Sequence, residues 1–104
     1  MRTLDFIVNA QFLSKNPECN FEHIVSGTSG YLTAHFTFSS EWDGCVKCAS
    51  FWRGGKEYAV LLRNDMCSIP PEVLTGATFK VCVVGQCENY RITTNRVVIR
   101  QVVK

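Results

Sequence analysis

Apolar residues recur at every second position along most of this chain, and a 3.6-residue period is nowhere sustained over the ten or so positions that an amphipathic helix needs. Leu4, Phe6, Val8, Ala10 and Phe12 alternate with Asp5, Asn9 and Gln11, the pattern of a strand with one face on a core and the other in water. Leu32, Ala34, Phe36 and Phe38 repeat it against Thr33, His35 and Thr37. β-Branched and aromatic side chains of this kind pack well on a pleated surface. The fold class read from this is all-β.

Turn chemistry divides the alternation. A first strand runs through Phe12 to the turn-rich residues 14–18, and a short strand is expected over 21–25, ahead of the Gly- and Ser-rich loop 26–30. Glu41-Trp42-Asp43-Gly44 leads into a strand over 45–52. Gly54-Gly55 joins this strand to 57–62 as a hairpin, and Arg63-Asn64-Asp65 closes it. Cys67 and Ile69 form an extended piece before Pro70-Pro71. The first proline holds Ile69 extended and the second suits a helix start, which places one short helical turn near residues 71–75, ended by Gly76. Phe79, Val81 and Val83 mark a strand, Gly85-Gln86 a turn, Tyr90 and Ile92 the return, and Val97 and Ile99 the last strand. About seven or eight short strands separated by turns imply an antiparallel β-sandwich or a barrel. A chain of 104 residues holds one such domain, residues 1–104.

Composition limits what the domain does. The chain is 46% hydrophobic and 19% charged, within the globular range and outside the disordered one. Its 11 basic and 9 acidic residues are scattered, for a net charge of +2, so no strong field for nucleic acid or anionic lipid is expected. Asp5, Asn9 and Gln11 interrupt the apolar residues near the start, which is not the form of a secretory signal. No apolar run approaches the roughly 20 residues of a membrane helix. Synthesis in a cytoplasm is therefore expected.

The six cysteines, at 19, 45, 48, 67, 82 and 87, admit 15 disulfide pairings. Without a secretory signal, reduced thiols buried as small hydrophobes are expected instead. Cys45-Val46-Lys47-Cys48 has the C-x-x-C form of zinc sites, and Cys82 with Cys87 would complete four thiolates. Strand residues three apart point to opposite faces, however, and Ala49-Ser50-Phe51-Trp52 continues the strand where a zinc knuckle has a turn former. The same pair lacks the βαβ surroundings of thiol-redox motifs. No zinc, redox or other cofactor is assigned.

His23 and His35 are the sole imidazoles, and no nucleophile motif, phosphate-binding glycine loop or clustered carboxylates accompany them. No catalytic residue is named, and no enzyme is expected. Trp42 is assigned to the core. Trp52 faces away from Phe51 and precedes Arg53-Gly54-Gly55, so Trp52 and Arg53 are the candidate partner contacts. Arg91, Arg96, Arg100 and Lys104 are read as a solvated face that protects edge strands, with nucleic acid set aside.

Trp42-Asp43-Gly44, then Lys47, Ala49 and Phe51, then Cys67-Ser68-Ile69-Pro70-Pro71-Glu72-Val73-Leu74, then Phe79-Lys80-Val81 with Val83 and Gly85, resemble in order and spacing the β-sandwich modules of tailed-phage minor structural and upper-baseplate proteins from Firmicutes phages and prophages. The resemblance covers roughly residues 32–100. It implies an immunoglobulin-like or similar sandwich serving attachment or oligomerisation in a phage particle. Its partners would be other phage subunits or further copies of itself, and it would be found in host cytoplasm and in the virion. Family members carry the module at the start of a longer chain or repeat it, so a copy on its own opens the alternative of an inhibitor that binds a host defence protein. Cys45, Cys48, Cys82 and Cys87, which depart from the family pattern, open a second alternative, a small zinc-binding regulator.

Overall fold

The computed structural model describes residues 1–104. Alternation becomes strand where turn residues or tertiary contacts bound it: β1 (Arg2–Asn9), β2 (Phe12–Lys15), β3 (Leu32–Phe38), β4 (Val46–Arg53), β5 (Lys56–Leu61), β6 (Met66–Ser68), β7 (Thr78–Gln86), β8 (Arg91–Thr93) and β9 (Val97–Arg100). The all-β class holds, with nine strands where seven or eight were expected. They form two sheets, one ordered β2-β1-β3-β6 and the other β5-β4-β7-β8, with β9 also paired to β7. The helical turn expected near 71–75 is a 3-10 turn at Pro71–Val73, and a second such turn occupies Ser40–Trp42. No helix is long and apolar enough to cross a membrane.

The first strand is shorter than its alternation suggests. The chain reverses at Ala10-Gln11, so Asn9 pairs with Phe12. Ala10 takes a φ of 53°, an uncommon value for a residue with a Cβ. Two tertiary contacts hold it there: its N–H donates to Ser39 Oγ at 2.8 Å, and the Trp42 indole Nε1–H donates to its carbonyl at 2.9 Å. Leu13 is buried as a result, whereas Phe12, assigned to the core by the alternation, is 62% exposed.

The expectation of wholly antiparallel pairing also fails, because β1 and β3 run parallel with Phe6 opposite Phe36. β2 folds back along one edge of β1, and residues 16–31 then carry the chain to the other edge, so β3 enters in the direction of β1. A parallel pair needs a crossover of about this length. Within it, residues 21–25 form no strand, and Val25 makes only an isolated bridge to Val102. The Arg2 guanidinium holds this segment by donating to the carbonyls of Asn20, Glu22 and His23 at 2.6 to 3.1 Å. Phe21 packs edge-on against Phe6, with ring centroids 5.3 Å apart.

Both sheets contribute to one core, Leu4, Phe6, Val8, Ala34 and Phe36 from the first and Ala49, Phe51, Phe79, Val81, Val83 and Ile99 from the second. Trp42 lies at one end, fully buried as assigned. A Cβ at Gly85 would come within 2.7 Å of its ring, so glycine is what lets β7 pass. Gly85-Gln86 is thus not the expected turn, and β7 continues through it. β8 and β9 divide the far edge of β7 between them. In the gap, Thr94 exchanges hydrogen bonds with the Val83 main chain. The Asn95 carboxamide meets both the N–H and the carbonyl of Leu13, at 2.7 and 3.1 Å, tying the second sheet to β2.

Candidate functional site

The parity that buries Phe51 sends Val46, Cys48, Ser50 and Trp52 to the other face of β4. Register then adds Glu57, Ala59 and Leu61 from β5, and Lys80, Cys82 and Val84 from β7. This outer face is apolar at unusual places, with Val46 61%, Leu61 53% and Val98 43% exposed. A groove of about 280 Å³ crosses it, floored by Cys48, Ser50, Ala59 and Val84, with Glu57 and Arg91 in its lining. Small floor residues between larger neighbours make the depression.

Trp52 is half-buried on this face, and the Arg96 guanidinium lies 3.9 Å from its ring centroid. Such stacking holds an arginine while leaving it charged. The Trp52 Nε1–H is buried with no hydrogen-bond partner. Burial pushes the Cys82 thiol above its ordinary range, and its neighbours Trp52 and Ser50 with the Arg96 charge pull it partly back. Arg53, the other candidate contact, belongs to the opposite parity. Its Nε donates to the Thr75 carbonyl at 2.7 Å and its guanidinium covers Gly76, so it braces the segment after the Pro71–Val73 turn. The structure therefore separates Trp52 from Arg53 and places Arg96 beside Trp52. Sequence parity alone could have paired those two, had the register of β9 on β7 been known.

Two of the six cysteines depart from the reduced state expected of them, and Cys19, Cys48, Cys67 and Cys82 are free thiols. Cys45 and Cys87 form a disulfide across a Cα separation of 4.2 Å, because β4 and β7 set Val46 opposite Gln86 and leave these two next in line. Cys48 and Cys82 stand apart from that bond on the outer face, so the four proposed thiolates are not assembled. No group of three or more His, Cys, Asp or Glu is placed to hold a metal. Cys67 lies in the core, where burial pushes its thiol up to about 12. Cys19 is half-buried, accepting the Asp5 N–H at 3.4 Å.

His35, read as solvent-facing, is about one-third exposed, with Nδ1 3.0 Å from Asp5 Oδ1 across the parallel pair. His23 sits in the crossover with a φ of 58° and lines an open groove of about 540 Å³ together with Lys15, Glu22 and Arg100. No protein-family model matches this chain, and no curated protein or solved structure matches it either.

Proposed function

We propose that this chain is a non-catalytic protein–protein interaction module of a tailed phage or prophage, an immunoglobulin-like or similar β-sandwich built into a tail or baseplate-like assembly. The observation that carries the reading is the outer face of the five-stranded sheet, where Val46, Leu61 and Val98 are exposed and Trp52 stacks on Arg96. Apolar residues gathered on a charged-rimmed face are what a partner covers, and tryptophan and arginine are the side chains most often dominant in such contacts. Two sheets sharing one core support the sandwich. Residues of the phage-like pattern, Trp42, Ala49, Phe51, Cys67, Ile69, Val73 and Leu74, are all buried, which suits a fold signature. The Cys45–Cys87 bond suits a protein that ends in oxidising surroundings, as a released particle does.

Quantitative mass spectrometry of particles from the phage or induced prophage carrying this gene tests the proposal. A fixed copy number per particle is expected. Absence from particles, with the protein abundant in infected cells, overturns it in favour of an inhibitor directed at a host protein.

A further inference from the structure

Four strand edges end the two sheets, and three of them are blunted. β2 is short, runs toward Pro17, and has the main chain of Leu13 already bonded by the Asn95 carboxamide. β6 spans three residues and is followed by Pro70-Pro71. The β8/β9 edge is broken at residues 94–96 and carries Arg91, Arg96 and Arg100. Short strands, prolines, breaks and cationic side chains are the devices by which proteins stop edges from pairing. β5 has few of them. It is six residues long, its charges Lys56 and Glu57 both lie at the hairpin end, and Tyr58-Ala59-Val60-Leu61 follows without charge, proline or bulge.

We infer that β5 is a pairing edge whose partner is β5 of a second copy of this chain, giving a two-fold dimer with one continuous sheet. The inference rests on reading the chain as an interaction module and names its first partner. The Leu62 N–H donates to the Lys47 carbonyl at 2.9 Å, which by antiparallel alternation turns the main-chain groups of Tyr58 and Val60 toward β4 and those of Glu57, Ala59 and Leu61 outward. Self-pairing centred on Ala59 uses all three outward residues, with Ala59 opposite Ala59 and Glu57 opposite Leu61. Centring on Glu57 instead would oppose two carboxylates, which is destabilising. In the Ala59 register, Glu57 of each copy lies diagonal to Arg63 of the other, so charge complementarity occurs twice, as a two-fold interface requires. Tyr58 and Val60, which pack against the core, also line up with Val60 and Tyr58 of the second copy. Pairing consumes both β5 edges, so assembly through them stops at two.

Sedimentation velocity across a wide concentration range, with amide hydrogen exchange followed by NMR, tests this. A dimer is expected in which the Glu57, Ala59 and Leu61 amides gain protection as concentration rises, while the Tyr58 and Val60 amides are protected throughout. Ala59→Pro removes an outward donor without touching the ladder to β4 and is expected to raise the dissociation constant roughly ten- to a hundredfold. Leu61→Glu, which needs no backbone change and sets a carboxylate opposite Glu57 of the other copy, is expected to weaken the dimer in the same direction. A monomer at every concentration, or a dimer whose three outward amides exchange freely, overturns the inference. A monomer found in particles at fixed copy number overturns the dimer and leaves the module reading standing. A dimer of the expected protection pattern that is absent from particles does the reverse.

Discussion

The two faces of the five-stranded sheet bury residues by different means. On the inner face Phe51, Val81 and Ile99 are fully buried among residues of both sheets. On the outer face Ser50 and Cys82 are only 3% and 5% exposed, yet no second sheet covers them. Their cover is side chains of the same sheet, with Trp52 and Arg96 stacked on each other beside them. Low exposure therefore has two meanings in this molecule. Inside, it reflects close packing on all sides, and outside, a lid of a few groups that a partner or a single substitution can displace.

Substitution on the inner face is the strongest way to break the comparison. Phe51→Ala leaves a cavity that the surrounding sheets cannot fill and is expected to cost about 3–5 kcal/mol, read from urea or guanidinium unfolding. A loss below about 1 kcal/mol would show that the inner face is not close-packed.

The pH dependence of Cys67 extends the contrast to a buried thiol. Its folded value is about 12 against an ordinary 9.0, so above pH 9 the unfolded chain loses a proton that the folded chain retains. Stability due to this group is thus intact below pH 9 and falls by about 1.4 kcal/mol per pH unit above it. Cys67→Ala should remove that component of the slope in unfolding measured from pH 8 upward. An unchanged slope would place the thiol in contact with water.

The outer lid should give the smallest change in stability and the clearest change in reactivity. Arg96→Ala is expected to cost less than about 1 kcal/mol, while alkylation of Cys82, followed by peptide mass spectrometry, accelerates toward that of the half-buried Cys48. Equal Cys82 labelling in the variant and the parent would mean that Trp52 alone forms the cover.

Much of the fold was legible locally. The Gly54-Gly55 hairpin, β3, and the turn started by Pro71 each carry their signal within a few residues. The failures are nonlocal. Ala10-Gln11 carries no turn signal, since Ser39 and Trp42 supply the bonds that hold Ala10 at positive φ. Parallel pairing of β1 with β3 depends on where residues 16–31 return, and the apolar residues of 21–25 serve to dock that crossover. Trp52 was identifiable as outward-facing from its parity with Phe51. Its neighbour Arg96 and the Cys45–Cys87 pairing depend on the registers of β9 and β4 on β7, which alternation within one strand does not specify.

The disulfide has one more consequence. Residues 45–87 form a covalent ring that contains β4, β5, β6 and β7, and its exposed tips are the turns at Gly54-Gly55 and Asn64. A protease that cuts at either tip opens the ring without dividing the molecule. The nicked protein would run as one species on a non-reducing gel and as two fragments after reduction, so cleavage that looks silent in the first lane would already be complete.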